Sequence, residues 1–234
     1  MRSIVVVTAG LSQPSTTSTV AHKIADAVSA AVGARGEEAQ VTTIELRELA
    51  IDLAKALVSG AQSTELVLAY EDLAGADGII AVSPTFSASY SSLFKMFFDV
   101  MDKDLLTDKP VLIAATAGTP RHSLMLEHAM RPLFSFLRAR IIPTAVFVAT
   151  EDFAGEHSEA IEHRVARAAG QLAREIVTER DHAGGLGGPL SDGPSKQRTE
   201  SSPSSFISLL RKHTGESSYG QVLARVRARA GTGE

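Results

Sequence analysis

The chain of 234 residues carries a formal net charge of -4, with 44% hydrophobic and 21% charged residues. That balance suits a globular protein with one full core and argues against the basic field that a nucleic-acid binder needs. The lack of cysteine excludes disulfides, thiol catalysis and thiolate metal or iron–sulfur sites, and fits a reducing, cytoplasmic setting. No apolar run approaches the roughly 20 residues that span a bilayer. The N-terminus enters a strand with no charged leader, so neither a membrane segment nor a signal peptide is expected.

Ile4–Val7 is a short β-branched run that reads as a central parallel strand. It passes through Thr8-Ala9-Gly10 into a polar loop, and a helix follows over 18–34 with Val20, Ile24, Ala27, Val28 and Ala31 on one face. Residues 41–46 form a second strand. Residues 51–76 are helical in pattern, with a break at Ser59-Gly60. Ile79–Val82 is a third buried strand, followed by the polar stretch Ser83–Ser92 and a helix from Leu93 that is apolar nearly all round. One face of that helix should meet the sheet, and its surplus suggests a subunit interface. Val111–Ala115 is a fourth strand, and Leu124–Leu137 a helix with Met125, Ala129, Leu133, Phe136 and Leu137 on its apolar side. Ile141–Ala149 is a fifth strand with Pro143 near its start, and Ser158–Glu179 a last amphipathic helix capped by Ser158. This alternation predicts one parallel sheet covered by helices on both faces. Residues 181–204, rich in Gly, Pro and Ser, read as a linker, and 205–234 as a tail, partly helical or disordered.

Three loops follow strand ends. Gly10–Thr19 offers six Ser/Thr hydroxyls where a strand feeds a helix, a setting that suits a phosphate bound without metal. It lacks both GxxxxGK[ST] and GxGxxG, so neither a nucleoside triphosphate nor a dinucleotide site is supported. A phosphomonoester such as the tail of FMN fits better; plain helix capping by Ser and Thr is the alternative. Ser83–Phe86 offers polar edges and one aromatic surface for a planar ring, or an aromatic packed on the next helix. Thr116-Ala117-Gly118-Thr119 offers close backbone approach and hydroxyls, or only a turn. With flavodoxin-like strand order 2-1-3-4-5, the loops after strands one, three and four become neighbours at the switch point. The seven histidines make no metal-ligand spacing, and neither HExxH nor GxSxG occurs.

These residues resemble the NADPH-dependent FMN reductases of flavodoxin-like fold. The resemblance spans roughly 2–179, and VVVTAGLSQPSTTSTVA and SPTFSASYSSLFKMFFD carry it. It implies a three-layer sandwich with a five-stranded parallel sheet as an FMN-binding domain over 1–180. By that resemblance Ser12, Ser15, Thr16, Thr17 and Ser18 hold the FMN phosphate. Ser83, Pro84, Thr85, Phe86 and Ser87 line the ring, and Thr116, Gly118 and Thr119 its other edge. The chain departs from the pattern at Gln13 and Pro14, where many members carry Arg early in the loop, so phosphate affinity rests more on hydroxyls and amides. A usual Tyr is Phe86, and the glycine-rich segment after strand four is thinner. Lys95 and Asp99 match helix positions that are structural in the family.

The implied reaction is hydride transfer from NADPH to FMN, with the flavin doing the chemistry and no protein acid or base required. Arg121 and His122 are candidates for the NADPH 2′-phosphate, against a plain reading as solvated charges. The long tail is similar to that of a subgroup supplying reduced flavin to luciferase-like monooxygenases, and a homodimer or homotetramer is expected. A quinone or azo-compound reductase is the rival within the class. A flavodoxin-like electron-transfer protein is the rival outside it.

Overall fold

An extended chain that is apolar on both sides belongs in the middle of a covered sheet, and Ile4–Val7 sits there with no solvent exposure. The computed structural model describes residues 1–149 and 158–177. The chain divides into the units Met1–Asp181 and His182–Glu234, and all described residues belong to the first. The expected linker and tail lie outside the described residues.

Strand β1 (Arg2–Thr8) pairs in parallel with β2 (Ala39–Glu45) on one side and β3 (Gly78–Phe86) on the other. β3 pairs in parallel with β5 (Pro110–Ala117), and β5 with β6 (Arg140–Ile141) and β7 (Val146–Ala149). The resulting order β2-β1-β3-β5-β6 is the expected 2-1-3-4-5 arrangement of a flavodoxin-like sheet. Helices α1 (Thr16–Gly33) and α6 (Ser158–Ile176) cover one face. The other face carries α2 (Ala50–Ser59), α3 (Thr64–Gly75), α4 (Ser92–Val100) and α5 (Arg131–Phe136). Strand residues alternate between the two cores: Ile4, Val6, Ile80 and Val82 join α1 and α6, while Val5, Val7, Ile79 and Ala81 join the opposite layer.

The sheet has seven strands rather than five, for two local reasons. Pro143 cannot donate to the ladder, so the fifth strand breaks into β6 and β7. Ile141 still faces Val111 and Val146 faces Ala114, with 143–145 bulging between. The second reason is β4 (Ser89–Tyr90), which folds back antiparallel on the end of β3.

The expected helix over Leu124–Leu137 is also irregular. A 3-10 turn at Pro120–His122 and a π turn at Leu126–Met130 precede α5. Pro132 has no N–H for a carbonyl four residues back, and the wider turn accommodates it. The π turn rephases the helix, so Leu126, Met130, Phe134 and Leu137 are buried while Phe136 is 68% exposed. Much of the apolar surplus of α4 packs within the same unit, with Met96 and Val100 half-buried. Phe97 stacks on Tyr70 at 4.9 Å and Phe98 meets Phe134 at 5.0 Å, while Tyr70 Oη donates to the Phe97 carbonyl at 2.7 Å.

At the amino ends of the strands, charged groups fasten the chain. Arg2 Nη2 donates to Glu37 at 2.8 Å, and the Ser3 amide donates to Asp77 at 2.9 Å. Lys109 Nζ donates to the carbonyls of Ala74 and Ala76 at 2.7 and 3.0 Å, capping the end of α3. Arg140 pairs with Glu175 of α6 at 2.7 Å. Gly78 opens β3 under α6, and a Cβ there would lie 2.5 Å from Ile176 Cδ1 and 2.8 Å from Cγ1.

Candidate functional site

The carboxyl ends of β1, β3 and β5 lie side by side, with Thr8 opposite Val82 and Pro84 opposite Thr116. Beyond Thr8 the chain turns at Gly10, where a Cβ would collide with the Ser15 side chain and come 2.9 Å from Ser18 Oγ. Only glycine allows the loop to lie so close to the start of α1. The loop then runs through exposed Leu11, Ser12, Gln13 and a cis Gln13-Pro14 bond.

Ser15 caps α1, its Oγ accepting from the Ser18 amide at 3.1 Å. The capping reading is therefore right for Ser15 itself. The amides of Thr16 and Thr17 have no carbonyl behind them in the helix, and the first turn carries no acidic residue, which leaves donors and a partial positive charge facing out. Ser12 and Thr16 are exposed, whereas Thr17 is buried. Thr17 Oγ1 lies 2.8 Å from Thr116 Oγ1. Ser18 Oγ donates to Glu45 Oε2 at 3.2 Å and lies 3.5 Å from Thr8 Oγ1, so its hydroxyl is engaged by a carboxylate.

The second stretch is a hairpin where a loop was expected. Ser83 is fully buried; its Oγ accepts from the Ser91 amide at 3.0 Å and donates to the Pro84 carbonyl at 2.9 Å. It holds the hairpin shut, with Phe86 exposed and Thr85 half-buried beside it. Thr85 pairs with Tyr90 and Phe86 with Ser89. Ser87 and Ala88 make the turn at φ 48° and 67°, both in the left-handed region that two-residue hairpins require. Thr85 Oγ1 is the one buried side-chain polar atom without a hydrogen-bond partner among the described residues, and the neighbouring Phe86 is 47% exposed.

The third stretch follows β5. Thr116 points inward to Thr17, while Gly118 and Thr119 are exposed. Arg121 and His122 stand exposed on the 3-10 turn. The structure thus brings all three predicted stretches to one edge of the sheet. Among the described residues, no group of His, Asp and Glu could hold a metal ion.

Two residues at this edge were not foreseen, Glu45 and Arg47. The Leu46 amide donates to the Thr8 carbonyl at 2.9 Å, so the end of β2 stays beside the first loop. Glu45 closes the strand and Arg47 stands on the turn that follows it. With its carboxamide oxygen turned toward Arg47, Gln13 accepts from Nη1 at 2.7 Å and also from Nη2.

Residues 2–154 match the sequence profile described as NADPH-dependent FMN reductase. The chain belongs to the NADPH-dependent FMN reductase family. That match includes all three stretches and both Glu45 and Arg47. An FMN reductase (NADPH) of Pseudomonas aeruginosa is 39% identical over 132 residues, covering 56% of this chain and 71% of the relative. The NADH-dependent FMN reductase SfnF of Pseudomonas putida is 35% identical over 154 residues, covering 66% of this chain and 81% of the relative. Among solved structures, an oxidoreductase from Corynebacterium diphtheriae aligns with TM-score 0.75 at 51% identity, over 76% of this chain and 98% of that one. The protein is thus a flavin oxidoreductase that uses FMN with a reduced nicotinamide. Its residues fit the flavin: amides and hydroxyls without metal suit the phosphate, and an orphaned hydroxyl beside an exposed ring suits a heteroaromatic edge.

Proposed function

We propose that the three stretches form the flavin site of this FMN reductase. The loop Ser12–Ser18 takes the phosphate, Ser83–Ser87 one side of the ring, and Thr116, Gly118 and Thr119 the other. The observation that carries this reading is the Thr85–Phe86 pair, a buried hydroxyl with no partner next to a half-exposed aromatic. A planar ligand with polar edges satisfies both at once.

FMN, when bound, supplies the two-electron chemistry, accepting hydride from the nicotinamide. The chain's own residues orient and desolvate. Amides of Thr16 and Thr17 and hydroxyls of Ser12 and Thr16 anchor the phosphate, Thr85 Oγ1 bonds a ring edge, and Phe86 shields a ring face from water. Gly118 and Thr119 contribute backbone donors that favour electron-rich ring atoms. Arg121 and His122, exposed and without an ion-pair partner among the described residues, attract the 2′-phosphate of NADPH. The enzyme works in the cytoplasm as a homodimer or homotetramer, for which exposed Leu124 and Phe136 offer apolar contact. Reduced flavin leaving the site serves a flavin-dependent monooxygenase, the partner suggested by the resemblance of the tail.

The test is a visible-absorption titration of the purified protein with FMN, followed by anaerobic NADPH. Saturable uptake and bleaching of the flavin's visible absorption are the expected result. No uptake would overturn the site assignment. Faster turnover of quinones than of FMN would move the physiological acceptor to the quinone class.

A further inference from the structure

A phosphomonoester dianion needs compensating charge as well as hydrogen-bond donors. The loop Gly10–Thr19 contains no Lys, Arg or His. The nearby fixed charge has the wrong sign, because Glu45 accepts from Ser18 Oγ at 3.2 Å. A site built from these groups alone would meet a phosphate with helix amides and an adjacent carboxylate.

Arg47 changes that balance. After the Leu46 amide bonds the Thr8 carbonyl, the chain leaves β2 in a turn. There the Glu48 amide donates to the Glu45 carbonyl at 3.0 Å and the Leu49 amide to the Leu46 carbonyl at 3.1 Å, and Arg47 sits on that turn beside the loop. The Arg47 guanidinium meets the Gln13 carboxamide, with Nη1 2.7 Å from its oxygen. Gln13 is neutral, so it orients the guanidinium without cancelling its charge. Among the described residues its ion-pair partner is Glu48, 3.7 Å from Nη2 and 69% exposed, a loose pair that solvent screens. A guanidinium has more N–H donors than this contact uses, set in a planar fork that matches phosphate oxygens.

We propose that Arg47, held over the loop by Gln13, is the cation that reads the flavin phosphate and makes the enzyme select FMN over riboflavin. The proposal rests on the flavin site described above. It assigns to the end of β2 a specificity role that the first loop, by its own composition, does not carry.

The experiment is fluorescence titration of the full-length protein with FMN and, separately, riboflavin, repeated for Arg47→Ala, Arg47→Lys and Gln13→Ala. Thermal melts of each variant check folding. The expected result is a ten- to hundredfold loss of FMN affinity in R47A with less than threefold change for riboflavin. R47K should fall between wild type and R47A, since an ammonium keeps the charge but loses the fork. Q13A should weaken FMN binding by a smaller factor. The wild-type preference for FMN should shrink with added salt, and that dependence should be shallower in R47A. Equal losses for both flavins, or undiminished FMN affinity in a folded R47A, would overturn the proposal while leaving the flavin site intact. A wild-type protein that binds neither flavin would overturn the site and this proposal together.

Discussion

Thr17 and Thr116 touch through their hydroxyls, 2.8 Å apart and buried, although one opens α1 and the other closes β5. Between their strands lies β3, so the contact bridges the central strand and joins the phosphate loop to the third loop. Removing either hydroxyl leaves the other buried without its partner, at a cost of about 1–3 kcal/mol. Replacing both with Val removes the mismatch. Thr17→Val and Thr116→Val should each lower stability, with the double variant costing clearly less than their sum. Urea unfolding of the four proteins measures this coupling; additive losses would show that the hydroxyls act separately.

Ser87 and Ala88 hold left-handed backbone angles that cost L-residues roughly 1–2 kcal/mol each. The double substitution Ser87→Asn and Ala88→Gly supplies residues suited to that turn. The variant is expected to gain about 1–2 kcal/mol, seen as a higher melting temperature. A lower one would show that the native turn residues make contacts worth more than their strain.

Tyr70 donates to the Phe97 carbonyl, and burial pushes its phenol well above the ordinary tyrosine value. Tyr70→Phe leaves a buried carbonyl short of a donor and should cost about 1–2 kcal/mol. The folded protein keeps this proton after the unfolded chain has lost it, so stability falls as pH rises past the ordinary value of 10.0. The variant should show a shallower alkaline decline in melting temperature. An unchanged decline would place the sensitivity elsewhere.

Lys109 has the opposite sign. Burial lowers its pKa from the ordinary value of 10.5, so the unfolded chain holds the proton more tightly than the folded one. Its contribution to the pH slope is therefore a gain in stability as pH rises toward that value. Lys109→Met removes this gain and leaves the end carbonyls of α3 uncapped. Comparing chemical unfolding of the two proteins at pH 7 and 9 isolates the slope, and parallel slopes would count against the assignment.

Gly78→Ala would drive a methyl into Ile176, costing about 1–3 kcal/mol by overpacking. Pairing it with Ile176→Val removes the Cδ1 atom nearest the new Cβ and should recover part of the loss. No recovery in the thermal melts would mean that the backbone of α6, rather than that side chain, sets the spacing.

The sheet was legible because runs such as Ile4–Val7 and Val111–Ala115 are too short for helices and too apolar for an edge. Their alternation with amphipathic segments predicted one parallel sheet with helices on both faces, while the strand order came from the flavodoxin-like likeness. Elements set by local exceptions were hidden. Ser87-Ala88 carries neither Gly nor Asn to announce a hairpin, so β4 read as loop. The π turn before Pro132 shifts the helical phase, which is why Phe136 read as core and lies in solvent. The hydroxyl-rich loop was visible because its residues are contiguous. Glu45 and Arg47 were not, because they reach it only through strand pairing across β1, and the β2 pattern shows no trace of that partner.

The ion pairs and the lysine cap that fasten the strand starts lie at the opposite edge of the sheet from the candidate flavin site. On the role proposed for Arg47, salt acts on the two edges through different groups: at one it weakens Arg2–Glu37 and Arg140–Glu175, at the other the capture of a phosphate. Folding and flavin uptake then respond to ionic strength through separate residues. A substitution at one edge can then change one response to salt without the other, so the capture of the ligand and the fastening of the scaffold are separable by mutation.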